Sequence, residues 1–408
     1  MAAGSRRRGK GSITSYETKS GTRWRWQLYV PIDPENPDDG VRQTGGGGFK
    51  TAADADEALD DAKRKLKARM TFARSVPTVA EYVDQWIDGR ALERSTIAGY
   101  RRLARNHIRP YFGTTQLDKL TSAKLAKHYR ELQAQGRRDG KGGGLSANTT
   151  AKVAALLSAV LDAAVSDGLI VANPAKKRAV VQPPTGRQIR AAKPEMHVWT
   201  GDQLAAFLQW CRDQDDVLFP LWSLIAHTGT RRSEALALRW GDVDMTNGRV
   251  AIRRALDTTQ RATTKLTKSG GSRVVDVDDG TVRVLRSWRA DLASVSLDYV
   301  RPDAYLFPNI RTGDPRSPNE VSRRWRTRVT NARVELGADA LPTIRLHDLR
   351  HTHASLMLAA GVPVKVVQER LGHASATITL DVYSHVMPGA GRAAADLFAA
   401  AVNGGRNG

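Results

Sequence analysis

The stretch KKRAVVQPPTGRQIRAAKPE, residues 176–195, divides this sequence more firmly than any other feature. Its Pro-Pro, Thr-Gly and Lys-Pro steps interrupt helix and strand alike, because proline lacks an amide donor and fixes its own φ. With 408 residues on hand, two or three domains are expected rather than one. The same stretch carries six basic residues against one acidic, the densest positive charge in the chain. It reads as an extended basic linker, either simply solvated or laid along a phosphate backbone.

Positive charge extends well beyond the linker. Lys and Arg number 63 against 42 Asp and Glu, a net charge of +21. An excess of that size makes a polyanion the default partner, with an acidic membrane surface as the second choice. The apolar share of 41% excludes a fibrous or wholly disordered chain. No run of 18 apolar residues occurs, and the start MAAGSRRRGKGS has no apolar segment behind its basic residues to serve as a signal peptide, so an intracellular protein is expected. The single cysteine, Cys211, can form neither an internal disulfide nor a cysteine-based metal site.

Patterning changes along the chain. After the basic tail Arg6–Lys10, the segment Arg23–Val30 alternates aromatic and polar residues as a strand does, and Val41–Thr44 with Gly45–Lys50 continues a small sheet. Ala53–Phe72 then predicts a helix. Arg23 and Arg25 are interleaved with Trp24 and Trp26, so the strand either grips nucleic acid or places its tryptophans in a core. From Thr78 to Val171 helices are expected over 79–88, 96–108, 124–135 and 149–167, opened by Thr78, Ser95, Thr121 and Asn148. Arg101, Arg102, Arg105 and Arg109 recur on adjacent turns of one of them, as a solvated face or a DNA contact. Beyond the linker, helices are expected over 200–210, 219–228 and 233–238, strands over 249–255 and 273–277, and helix with breaks thereafter.

Four motifs follow in order. Thr228-Gly229-Thr230-Arg231-Arg232-Ser233-Glu234 puts an arginine after a glycine turn at a helix start, where backbone N–H groups and guanidinium can meet an anion together. Lys268-Ser269-Gly270-Gly271-Ser272-Arg273 falls at a glycine-rich hairpin tip, with Lys265 nearby. His347-Asp348-Leu349-Arg350 has the i, i+3 spacing that places imidazole and guanidinium on one helix face. Leu371-Gly372-His373 is followed ten residues later by Tyr383.

In that order, TGTRRSE, the hairpin lysine, HDLRHTHAS and LGHASATITLDVYSHV resemble the catalytic domain of the tyrosine recombinases, the phage-integrase family, over roughly residues 195–390. Residues 77–175 are similar to that family's helical core-binding domain, and 10–72 to its arm-site-binding sheet module. The implied architecture is multidomain and mainly α with small β-sheets. A three-stranded sheet plus helix occupies 1–72, an all-α domain 77–175, the basic linker 176–195, and a mixed α+β catalytic domain with a tail helix 196–408.

The resemblance implies that Tyr383 is the nucleophile and that Arg231, Lys268, His347, Arg350 and His373 surround the scissile phosphate. The chemistry suits those residue types. Attack on a phosphodiester builds charge on its oxygens, which two guanidinium forks stabilise. A tyrosine hydroxyl with a pKa of about 10 needs a base, and a 5′-alkoxide needs an acid. His347 is the candidate base and Lys268, or else Lys265, the acid. Neither a metal nor any other cofactor is implied. Metal binding by His347, His351 and His353 is the competing reading of HDLRHTH.

Candidate DNA contacts are Arg23, Arg25, Arg101, Arg102, Arg105, Lys176, Lys177 and Arg178. The implied partners are double-stranded DNA at core and arm attachment sites and a homo-tetramer on that DNA, with an excisionase and a host DNA-bending protein as further candidates. No membrane partner is implied, and the expected location is the bacterial host cytoplasm. A Xer-type resolvase, a type IB topoisomerase and a catalytically silent DNA-binding protein remain as alternatives.

Overall fold

The computed structural model describes residues 11–18, 21–31, 41–67, 76–192, 196–257, 259, 263–266, 271–373, 375, 395–396, 398–399 and 402. The chain forms two compact units, Met1–Pro194 and Glu195–Gly408.

The first unit opens with strands β1 (Gly11–Thr18), β2 (Gly21–Pro31) and β3 (Val41–Phe49), an antiparallel sheet in the order β1-β2-β3. Ile13 and Gly46 flank Trp26 across the sheet. The glycine is required there, because a Cβ on Gly46 would lie 2.9 Å from Trp26 Nε1. Helix α1 (Ala52–Lys67) starts where Thr51 Oγ1 accepts the Asp54 N–H at 3.1 Å. It buries Leu59 and Ala62 against Leu28 and Val30, with Trp26 packed alongside. Trp26 is thus a core residue, and strand alternation sends Arg23 and Arg25 to the opposite face.

A helical bundle follows, with α2 (Val79–Asp88), α3 (Arg94–Leu103), α4 (Arg109–Phe112), α5 (Ser122–Gln135) and α6 (Ala147–Ser166). Thr78 and Thr121 cap α2 and α5 as their sequence predicts. Two expected starts differ. Helix α3 begins at Arg94 after Glu93, which makes no side-chain cap, and Ser95 lies inside it. Ser146 rather than Asn148 caps α6, because its hydroxyl accepts the Thr149 N–H at 3.2 Å. Between α3 and α4, Ala104–Ile108 widen into a π-helix. The core comprises Ile87, Ile108, Leu125, Tyr129, Leu132, Val153, Leu157 and Leu161 among others. Among the described residues, α6 alone is long and apolar enough to span a bilayer. Its apolar residues Val153, Leu157, Val160 and Leu161 are spent on this core.

The expectation of an extended linker over 176–195 needs correction. Val181 is buried within the helical core, and Gly186–Ala191 form a short helix, α7, closed by a Thr185–Gln188 capping box. The prolines at 183 and 184 precede this turn, where a missing N–H costs nothing, and the cap supplies what the local sequence lacks.

The second unit contains α8 (Gly201–Asp213), α9 (Phe219–Thr228), α10 (Arg232–Ala235), β4 (Val243–Asp244), β5 (Arg249–Ile252), β6 (Arg254–Leu256), β7 (Thr264–Leu266), β8 (Arg273–Asp276), α11 (Asp279–Val295), α12 (Pro318–Leu336), α13 (Asp348–Ala359) and α14 (Val364–Leu371). Strands pair as β4-β5-β8 and as β6-β7, all antiparallel. The expected strand 249–255 is therefore two strands in two sheets. Trp199, Phe207, Trp222 and Trp325 form the aromatic centre, with Trp222 and Trp325 rings 5.3 Å apart. Each indole N–H finds an acceptor, Pro342 O for Trp199, Asp216 Oδ2 for Trp222 and Ile344 O for Trp325, as burial demands.

In the bundle, His128 is 1% exposed, its ring 4.4 Å from that of Tyr111 and 4.8 Å from that of Phe112. Burial lowers its pKa from 6.5 to about 4. A depressed folded pKa means that its stability contribution is complete above pH 6.5 and is lost as pH falls toward 4. At pH 5 the loss is about 2 kcal/mol. Denaturant unfolding of wild type and His128→Leu at pH 7.5 and 5 should show the wild type losing that much more than the variant. Equal losses would contradict the assignment.

Candidate active site

The site is built from two helix-ending turns and one helix start. Helix α9 ends at Gly229 in the left-handed region with φ 63°, and α14 ends at Gly372 with φ 67°. Both turns need φ values that a side chain disfavours. Between them stands the first turn of α13, with His347 as its N-cap residue. Arg350, 2% exposed, donates from Nη1 to Gly229 O and from Nη2 to Leu371 O, both at 2.7 Å. One guanidinium thereby fixes the spacing of the two turns. Arg231 Nη2 donates to Gly372 O at 3.1 Å, bringing the second arginine to the same place.

Glu234 organises Arg231. Its carboxylate is 1% exposed and accepts the Arg231 backbone N–H at 3.0 Å, Arg231 Nη1 at 2.7 Å and Arg273 Nη2 at 2.6 Å. Burial pushes this carboxyl up, but Arg273 and then Arg231 more than offset it and hold it below the ordinary carboxylate range. The expectation that the Arg231 N–H would face an anion is thus corrected: that donor belongs to Glu234, and the guanidinium carries the role alone.

The surroundings favour the neutral form of His347, His351 and His373. Burial and then Arg350 lower the His347 pKa. Burial, then Arg350 and Arg231, lower His373 to about 4. His347 opens the helix that carries Arg350, and His373 follows Gly372, whose carbonyl accepts from Arg231. His351 meets His347 edge-on at 5.1 Å between ring centres, and burial with His347 lowers it to about 4. His353 turns away from this pair. Its Nε2 accepts Arg370 Nε at 3.1 Å, which leaves the ring proton on Nδ1 to be donated to Ala226 O at 2.9 Å. HDLRHTH therefore does not converge on one point.

Lys268 and Tyr383 lie outside the described residues. Lys265 is on β7 opposite Ala255, and β8 begins five residues after Lys268. Of the proposed tail helix, Ala395, Asp396, Phe398, Ala399 and Val402 are helical and exposed. Arg273 and Arg370 were not legible as site residues, since a buried arginine has no periodic signal; only their positions beside the hairpin and the Leu371-Gly372-His373 turn hint at it.

The basic candidates divide. Arg25 is exposed, with Nε donating to Thr14 Oγ1 at 3.1 Å and the guanidinium 5.7 Å from the Tyr16 ring centre, while Arg23 bonds Thr22 O. On the bundle the expected stripe is split. Arg101 pairs with Asp88 at 2.7 Å and Arg109 with Asp84, both on α2, whereas Arg102 and Arg105 are exposed without an ion pair among the described residues. Lys176 pairs with Asp162 at 2.8 Å, and Lys177 and Arg178 are exposed. Exposed pairs of this kind are worth less than about 1 kcal/mol and yield readily to a phosphate.

Removing Glu234 should cost more than removing Arg231. Glu234→Ala leaves two half-buried guanidinium groups facing each other, a loss of about 3 kcal/mol. Arg231→Ala leaves Glu234 still paired with Arg273 and should cost about 1 kcal/mol or less. Denaturant midpoints of the two variants would check the order; equal losses would contradict it.

Residues 197–389 match the phage integrase family model, and 78–133 match the phage integrase N-terminal SAM-like domain. The ICEBs1 integrase of Bacillus subtilis (strain 168) is 27% identical over 297 residues, covering 71% of this chain and 73% of its own. The Tn1549 transposon integrase bound to a circular intermediate DNA shares the fold at TM-score 0.63 and 21% identity, over 78% of this chain and 99% of that one. A lambda integrase tetramer bound to a Holliday junction aligns at TM-score 0.54 and 16% identity, over 90% and 94% of the two chains.

Proposed function

The chain belongs to the phage integrase family of tyrosine recombinases and is a site-specific DNA recombinase, and from that premise we propose that Tyr383 cuts and rejoins DNA at the site gathered around Arg231 and Arg350. The observation that carries this reading is that Arg350 bonds Gly229 O and Leu371 O while Arg231 bonds Gly372 O, which joins the turn before Arg231, the helix that starts at His347 and the turn that leads into His373.

In this reading the N–H donors of Arg231 and Arg350 left over from their bonds to Glu234 and to the turn carbonyls hold the non-bridging oxygens of one phosphodiester, and they bind the transition state more tightly because its oxygens carry more charge. His347 accepts the Tyr383 proton, the tyrosyl oxygen bonds to phosphorus, and the 5′-oxygen leaves with a proton from Lys268. His373 donates a hydrogen bond to a non-bridging oxygen. The 3′-phosphotyrosyl bond conserves the energy of the phosphodiester, so reversal with a new 5′-hydroxyl needs no nucleotide.

We assign residues 77–175 and 196–408 to the core half-site, with Arg102, Arg105, Lys177 and Arg178 on backbone phosphates and Arg101 and Lys176 exchanging their surface carboxylates for them. The sheet face bearing Arg23 and Arg25 is assigned to arm sites, the feature that separates an integrase from a Xer-type resolvase. Four protomers would exchange one strand pair, form a Holliday junction and exchange the other, to integrate and excise a mobile element in a bacterial cytoplasm. An excisionase and a host bending protein would set direction and DNA path.

The experiment is a denaturing gel with nicked duplexes tiled from DNA flanking the protein's own gene, in the presence of chelator. Wild type should form a covalent adduct at one sequence, and Tyr383→Phe should form none. An adduct that persists in Tyr383→Phe would refute the assignment, and tight binding without any adduct would favour a silent DNA-binding protein.

His347 also sets a pH expectation. Its lowered pKa keeps the base form available at neutral pH, so the single-turnover adduct rate should stay level from pH 8 to 7 and fall with a midpoint below 6.5. A midpoint above 7 would remove His347 as the base.

A further inference from the structure

Arg273 is the first residue of β8, the strand that follows the segment carrying Lys268. Its side chain is 11% exposed and touches three parts of the site at once. Nη2 donates to Glu234 Oε2 at 2.6 Å, and Nε donates to Arg370 O at 2.8 Å, in the last turn of α14. The side chain also packs against the next turn, since a Cβ on Gly372 would fall 2.9 Å from Arg273 Nη1 and 3.2 Å from Cδ and Cζ. Gly372 is thus constrained twice, by its φ of 67° and by Arg273.

We propose that Arg273 is a positioning residue for the strand-transfer reaction: it holds Glu234 and the Gly372–His373 turn in place and shares the Glu234 charge, so that Arg231 reaches the scissile phosphate only partly neutralised. The inference rests on the proposed chemistry at Arg231. Its physical basis is a count of charges. With both arginines present, one carboxylate is shared between two cations and the cluster is positive. Without Arg273, Glu234 and Arg231 form a closed neutral pair, and the field at the phosphate falls. Removing Arg273 also frees Arg370 O and the Gly372 turn, which carries the acceptor for Arg231 Nη2 and leads into His373.

The test measures the single-turnover adduct rate at saturating protein, on the nicked duplex that gives the adduct, for wild type, Arg273→Met and Arg273→Lys. Arg273→Met should slow the step at least about tenfold, with duplex affinity within about twofold of wild type, and Arg273→Lys should recover part of the loss. A second substrate carries a methylphosphonate at the scissile position, which removes the charge that Arg231 must neutralise. On it the Arg273→Met defect should shrink to less than half its size on the natural phosphate, a change that mere loss of folding would not produce. Wild-type rate in Arg273→Met, or an equal defect on both substrates, would overturn the inference while leaving the proposed function intact. Failure of the wild type itself to form an adduct would overturn both.

Discussion

The second unit depends on one buried carboxylate. Glu234 cannot stay ionised in an apolar interior without cations, and it obtains two, Arg231 and Arg273, with a backbone N–H as a third donor. Satisfying it draws together the end of α9, the start of β8 and the end of α14. Arg350 repeats the device from the other side by bonding the carbonyls of Gly229 and Leu371. The result is a rigid cluster of guanidinium groups whose geometry is set before any anion arrives, which is the condition for binding a transition state more tightly than a ground state. Arg370 adds an outer tie, joining His353 to His227 O and so α13 and α14 to α9.

Neutral histidines complete the logic. A positive cluster with little solvent lowers the affinity of each imidazole for protons, as seen for His347, His351 and His373. Burial, reinforced by the neighbouring arginines, thus favours the unprotonated form of His347, the proposed base. Family membership and this field point the same way, although they rest on independent observations.

Much of this was legible in the sequence, and the exceptions have physical causes. Motifs around Gly229, His347 and Gly372 could be read because turns with positive φ and helix starts leave local signatures. The start of α5 was legible from Thr121, whereas Ser146 displaced the expected Asn148, since neighbouring polar residues compete for one cap, and α3 starts at Arg94 with no side-chain cap at all, so Ser95 gave a false signal. Helix α7 was missed because proline and glycine signal a break without showing that the next turn closes on its own capping box. Arg273 and Arg370 were invisible as site residues, because a long-range bond from an arginine to a carbonyl leaves no periodic trace. The arginine stripe from Arg101 to Arg109 looked uniform in sequence, yet it runs over α3, the π-helical turn and α4, and Asp84 and Asp88 on α2 pair with two of its members, a consequence of packing alone.

The most direct measurement is mass-spectrometric mapping of the protein–DNA linkage after protease and nuclease digestion of a trapped reaction. The expected result is a nucleotide joined through its 3′-phosphate to Tyr383, with a free 5′-hydroxyl on the released strand. A linkage to another residue, or to a 5′-phosphate, would contradict the central claim that the cluster around Glu234 and Arg350 serves Tyr383.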